Sequence, residues 1–357
     1  MPLGGGQQKS IKRLYKDARN YEEEIKETRD SVDLPITDPH IVVDPRRVGY
    51  NYLSYAFIES GSELPDISDD EKSRICSDFQ DNTINNGSFI GISLGDFDII
   101  HRRTEQKQYT HAKFAVDTID DENVNYVQSI ETYPIWAIAR WHGKNIPLDK
   151  MFKDSNFDGR TKIEREVIYE LYRGLNKTEE EIANSIRTRI KSNRKSIIGE
   201  QEIPERFVDK VDNTLAKLER NKIIFEEGSI GVKVSATSWT HLIVGIKVEE
   251  IGEEKLKQER ERIDEVIGDR SPLPTEIIMY KIREEFDDVW EMPYIVSGVG
   301  QNWADILVEM HIEDIQNMDT HAQNLRKIPG IKSTRTHLIT HEAINEPLVV
   351  NDPEYID

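Results

Sequence analysis

The residues best suited by type and spacing to do chemistry lie in a run without a single acid. Between Glu181 and Glu200 stand Arg187, Arg189, Lys191, Arg194 and Lys195, with no Asp or Glu. The whole chain has 47 Lys and Arg against 67 Asp and Glu, a formal net charge of -20, so this run inverts the local sign. Cations grouped in this way neutralise phosphates and displace counterions, which gives affinity independent of base sequence. Just downstream, Arg206, Lys210, Asn213 and Thr214 fall early in a predicted helix, where Asn and Lys can reach base edges. The competing reading is a solvated charge run. Glu205, Asp209 and Asp212 share the later helix and would repel a phosphate backbone.

Two other groups of residues could hold small molecules. Gly95 and Asp98, in LGDFDII, place a carboxylate beside a tight turn, which suits an ammonium group; a plain hairpin turn is the alternative. Gly298, Gly300 and Asp305, in GVGQNWAD, stand at a comparable but longer turn. His101, Arg102 and Arg103 follow the first hairpin and would make a basic, His-containing pocket. His337 and His341 are predicted on one face of a strand near His311, yet several convergent ligands are not evident, so no metal is expected. There is no Gly-rich phosphate loop, no CxxC pair and no nucleophile elbow. No catalytic residue and no cofactor is expected.

The elements that must position these residues repeat. From Ile41 the pattern reads as strand, turn at Asp44-Pro45, strand through Ile58, helix over 62–84, then a hairpin around Gly95-Asp96. THAKFAVDTI is predicted as a strand, ENVNYVQSIETYP as a short helix and IWAIARWHG as a strand, giving β-α-β-β-α-β with one extra strand. The stretch from Trp239 to Glu342 gives the same order again, an internal duplication. Between the copies lie three helical segments. Ile163, Val167, Ile168 and Leu171 line the first; Thr178 with Glu181 makes a capping box on the second; Phe207, Val211, Leu215 and Leu218 stripe the third. A hairpin around Gly228 completes a predicted winged helix-turn-helix.

With its three helices, wing and following β-α-β-β-α-β unit, the chain resembles the Lrp/AsnC (leucine-responsive) regulators, of archaeal type with two sensor-like units. LAKLERNKII resembles the end of that family's recognition helix, IPGIKSTRTHLITHE its last helix-to-strand turn, and LGDFDII its Gly-x-x-Asp turn. The resemblance implies an α+β fold, a central winged helix-turn-helix flanked by two ferredoxin-like sensor domains. The corresponding segments are an N-terminal charged helix and connector (1–37), sensor domains at 38–146 and 236–345, a linker (147–159), the winged helix (160–235) and an acidic tail (346–357). It also implies double-stranded DNA as partner, a small effector such as an amino acid near Gly95 and Asp98, and a homo-oligomer, the two units within one chain being able to pair with each other. The function expected is transcriptional regulation. Where the chain departs from the family, other readings arise. The turn between Ile190 and Ile203 is long, and no complete helix-turn-helix precedes the first unit. The same architecture serves siroheme decarboxylases, and a non-DNA-binding adaptor is the third reading.

At 357 residues the chain is long enough for two or three domains with their own cores. One cysteine, Cys76, excludes an internal disulfide and fits a reducing compartment. No apolar run reaches the ~18 residues of a membrane span, so a cytoplasmic location without membrane contact is expected.

Overall fold

The computed structural model describes residues 36–41, 52–61, 68–82, 87–105, 115–116, 127–141, 144–145, 161–173, 178–191, 203, 206–220, 230–234, 240–250, 252, 254, 258, 273–286, 292, 294–298, 303–312 and 314–343. The chain divides into two compact units: residues 51–156 with 234–346, and residues 1–50, 157–233 and 347–357.

The larger unit is a single antiparallel sheet. Its first half contributes β2 (Tyr52–Ser60), α1 (Asp69–Asn82), β3 (Gly87–Leu94), β4 (Ile99–Glu105), β5 (Val127–Trp141) and the short β6 (Lys144–Asn145). Its second half contributes β8 (Thr240–Val248), α5 (Pro274–Glu285), β9 (Tyr294–Gly298), β10 (Ile306–Ile312), α6 (Met318–Lys327) and β11 (Ile331–Ala343). The order is β2-β4-β3-β11-β8-β10-β9-β5-β6, and β2 also pairs with β5. Eight strands therefore close on themselves into a barrel, and no long edge is left unpaired. The two halves meet along β3–β11 and β5–β9. The expected fold class, with separate ferredoxin-like domains on either side of a winged helix-turn-helix, is thereby corrected. Each half could bury only one face of its own sheet, whereas closure buries the second faces against each other.

Strand alternation sorts the side chains. Outward-facing Leu242, Val244, Ile246, Ile295 and Val308 pack beneath Ile277, Ile278 and Ile282 of α5. Ala56, Ile58, Ile90, Ile92 and Ile99 pack with Ile75 and Cys76 of α1. The inward faces carry aromatic and polar residues. Glycine makes room for them: a Cβ on Gly245 would lie 2.0 Å from the Trp303 ring. The hairpin that leads into each half's third strand, β4 or β10, is tied in the same way in both copies. Asp98 N donates to Ile58 O, and its carboxylate accepts from Ser60 N; Asp305 N donates to Ile246 O, and its carboxylate accepts from Val248 N.

Two local expectations change. VQSIETYP is not helical but opens the 15-residue strand β5, whose Tyr133 lies opposite Tyr55 of β2. Ala115 and Val116, predicted in a strand, are helical.

In the smaller unit β1 (Ile36–Ile41) pairs with β7 (Ile230–Val234), so the segment entering the first half belongs instead to the helical unit. Its helices are α2 (Lys162–Arg173), α3 (Glu179–Lys191) and α4 (Phe207–Arg220). The capping box forms, with Glu181 N donating to Thr178 Oγ1 and Thr178 N to Glu181 Oε2. Thr161 and Glu164 cap α2 in the same way. Val167, Ile168, Leu171, Ile182, Ile186, Phe207, Val211, Leu215 and Leu218 form the buried stripes. Among the described residues, no helix is long and apolar enough to cross a membrane.

Candidate functional site

The barrel interior holds a cluster of charges that a dry core tolerates only if they are paired. Glu309, projecting inward from β10, sits at the centre. Arg102 Nη1 of β4 donates to its Oε1 at 2.7 Å, and the Tyr55 hydroxyl of β2 donates to the same oxygen. His241 of β8 places Nε2 3.5 Å from Glu309 Oε2, an ion-pair rather than a hydrogen-bond separation, and its Nδ1 lies 2.7 Å from Glu342 Oε2 of β11. The Arg102 guanidinium lies 4.0 Å from the Tyr294 ring centre, and His311 stacks on His241 at 4.3 Å.

Two cations face two carboxylates here, and their pKa values follow. Burial would raise the Glu309 carboxyl, but the Arg102 charge and His241 bring it down to about 2. Burial would likewise neutralise His241, but Glu309 and Glu342 hold it protonated, with a pKa of about 9. Burial and the charge on His241 push His311 well below its ordinary value, so it is neutral. Tyr55 is driven up by burial and by the negative charge of Glu309.

A cavity of about 370 Å³ opens at the barrel mouth, lined by Gly95, Asp96, Arg335, Thr336 and His337. His337 is only 1% exposed, and among the described residues no group hydrogen-bonds either of its ring nitrogens. Gly95 leaves space beside the ring, since a Cβ there would lie 2.3 Å from His337 Nδ1. Phe97 and Trp303 flank the imidazole with centroids at 5.6 and 5.5 Å, and the Trp303 indole N–H is also without a partner among the described residues. Arg335 Nη1 bonds Asp96 Oδ2 at 2.9 Å at the rim. Burial lowers the His337 pKa; Asp96 acts to raise it and Arg335 to lower it.

The residues singled out in the sequence are distributed as follows. Arg189 reaches back to Glu166 and, at 2.9 Å, to Glu170, both fully buried on α2. Arg187 bonds Asn184 and lies 5.6 Å from the Phe207 ring centre, while Lys191 is exposed at the end of α3. Arg206, Lys210 and Asn213 are exposed, and Asn213 donates to Asp209 O. Thr214 is buried and donates to Lys210 O. Arg194, Lys195 and Gly300 lie outside the described residues. Gly95 lines the cavity, and Asp98 and Asp305 make the hairpin ties above, Asp305 also bonding Lys247 at 2.8 Å. Gly298 N donates to the Tyr133 hydroxyl.

His101 and Arg103 point outward from β4 and Arg102 inward, so the three do not form one pocket. A bulge between Ile339 and His341 turns His341 outward, where Nε2 lies 3.2 Å from Asp69 of α1, away from the inward His337. His311 is two strands from β11. Among the described residues, no three His, Cys, Asp or Glu side chains are placed to hold a metal ion. Arg140 is fully buried but structural: its guanidinium donates to the carbonyls of Arg283, Phe286 and Met292 around the end of α5.

Tyr55, His241, Glu309, Glu342 and Arg335 carry the interior and the cavity, and sequence reasoning missed them. One signal was present. In ADILVEMHI, Glu309 and His311 interrupt an apolar strand at i and i+2, which places both on one face.

No protein-family model matches the chain, and no curated protein matches it. Two solved structures of the siroheme decarboxylase NirDL, one in co-complex with an iron-uroporphyrin III analogue, are similar at a TM-score of 0.51 and 10% identity. The match covers 93% of this chain and 84% of that one. The likeness is one of fold. The Lrp/AsnC assignment, the transcription-regulator reading with its effector, double-stranded DNA as partner and the expectation of no catalysis are corrected by this likeness. The local geometry gives a physical reason for part of the correction, because Arg189 is held by two buried carboxylates and Thr214 faces the helical core.

Proposed function

We propose that this chain is an enzyme that decarboxylates a tetrapyrrole bearing carboxylate arms, in the manner of a siroheme decarboxylase. The observation that carries the reading is the likeness over 93% of the chain to an enzyme of that activity. Loss of CO2 breaks a carbon–carbon bond, leaves the electron pair on carbon and requires a proton there. The protein must hold the carboxylate, keep water from the developing carbanion and place a proton carrier beside it. The barrel mouth has these parts. Arg335 offers a guanidinium fork for a carboxylate, His337 is a buried imidazole with both nitrogens available, and the rings of Phe57, Phe97 and Trp303 pack around that imidazole. At about 370 Å³ the cavity lies near the lower end of the roughly 300–1,000 Å³ common for ligand sites, which suits one carboxylate arm rather than a whole macrocycle.

The test is an anaerobic incubation of the purified chain with siroheme, followed by mass spectrometry of the extracted tetrapyrrole. Products lighter by one or more CO2, with formation slowed at least tenfold in His337→Gln, are expected. Unchanged siroheme, despite a shift in its absorption spectrum on binding, would reduce the assignment to tetrapyrrole binding.

A further inference from the structure

The Asp96–Arg335 ion pair and the buried His337 imidazole line one cavity, and among the described residues nothing hydrogen-bonds that imidazole. We propose that the cavity is a carboxylate site in which the ligand takes Arg335 from Asp96, leaving Asp96 to pair with a newly protonated His337. This deepens the tetrapyrrole reading and rests on it for the natural ligand, although the site itself is argued from this chain's own residues.

Three features lead there. The ion pair is easily exchanged, because both side chains are more than half exposed (57% and 58%) and such surface pairs are weakly held. Arg335 presents several N–H donors, and a single Nη1 contact to Asp96 leaves room for a two-pronged approach by a carboxylate. The imidazole is held neutral by burial, and the two charges that act on it oppose each other, Asp96 favouring its protonated form and Arg335 disfavouring it. A carboxylate on Arg335 cancels the disfavouring charge and frees the favouring one. The proton comes from solvent, and no bond of the ligand breaks at this step. The other groups placed against it carry no charge: Ile243 of β8 lies opposite His337 in register, the rings of Phe57, Phe97 and Trp303 face it, and Thr336 completes the cavity lining. Ligand binding and arming of the proton carrier are thus one event.

Sodium acetate is a sufficient probe. The full-length 15N-labelled chain is titrated with pH while the ring nitrogens of His337 are followed by NMR, in acetate or in chloride at equal ionic strength, with His337→Gln giving the assignment. Acetate is expected to raise the His337 pKa by about one unit, a tenfold shift in its protonation constant. In Arg335→Met acetate should have no effect. In Asp96→Asn acetate should still perturb the ring but with a clearly smaller rise in pKa, because only the Arg335 charge is then cancelled. Both substitutions lie at exposed positions, so folding is retained and is checked by circular dichroism. A pKa unmoved by acetate in the unmodified chain, or a full rise in Asp96→Asn, would overturn the proposal. Siroheme turnover without any acetate response would refute this site alone. An acetate response without turnover would support the site and refute the decarboxylase reading.

Discussion

Glu309→Gln is the most informative change to the barrel. The substitution keeps the side-chain volume and an acceptor for Tyr55, so no cavity term enters. It removes one carboxylate charge that Arg102 meets at 2.7 Å and His241 at 3.5 Å, in a side chain only 2% exposed. Taking one partner from a buried ion pair costs about 3–5 kcal/mol, because the other charge is left in low dielectric. His241 can relieve part of this by shedding its proton, which places the net loss near the lower end, about 3 kcal/mol. The assay is urea unfolding followed by tryptophan fluorescence, since Trp141 and Trp303 both lie in the barrel. With a denaturant slope of about 3 kcal/mol/M, the midpoint should fall by roughly 1 M. Arg102→Met should be similarly costly alone, and the double variant should be less destabilised than the sum of the singles. A loss below about 1 kcal/mol, or strict additivity, would refute the view that the cluster is a mutually neutralising set.

The remaining predictions follow from the same geometry. His241 has its pKa raised to about 9 in the fold against an ordinary value near 6.5, so its contribution is complete below pH ~6.5 and lost as pH rises to about 9. Thermal melts across that range should show stability falling, with an upper bound on the order of 3 kcal/mol, and His241→Gln should flatten the profile. Glu309, lowered to about 2, contributes above pH ~4.5 and loses that contribution as pH falls towards 2, so Glu309→Gln should flatten the acid limb. Gly95→Ala would bring a Cβ within 2.3 Å of His337 Nδ1; a loss of about 1–3 kcal/mol in melts and a displaced His337 ring signal are expected. Arg189→Met removes the cation shared by buried Glu166 and Glu170, and should cost about 3–5 kcal/mol when circular dichroism follows the helices.

Local features were legible in the sequence because local rules decide them. The Thr178–Glu181 capping box, the Phe207–Leu218 stripe and the β-α-β-β-α-β order of the second half follow from spacing alone, whereas the helix expected at VQSIETYP in the first half is strand. Closure of the sheet was not legible in this way. The same alternation serves a half that stands alone or one that completes a barrel, and the β3–β11 and β5–β9 pairings between the halves distinguish the two. The basic run misled because exposure cannot be read from composition. Arg189 spends its charge on two carboxylates one helix away, at positions that helical periodicity alone does not mark as buried acids. The cavity eluded the sequence for a related reason. His337 and Gly95 are 242 positions apart, and only the register of β11 against β3 and β8 brings them together. Asp98 and Asp305 make the same hairpin tie in the two halves, a device repeated by the duplication.

The most direct test of the central claim is product analysis after anaerobic incubation of the chain with siroheme, using the unmodified protein and His337→Gln side by side. Stepwise loss of CO2 by the unmodified chain and at least tenfold slower loss in the variant are expected. Siroheme recovered intact from the unmodified chain would contradict that claim.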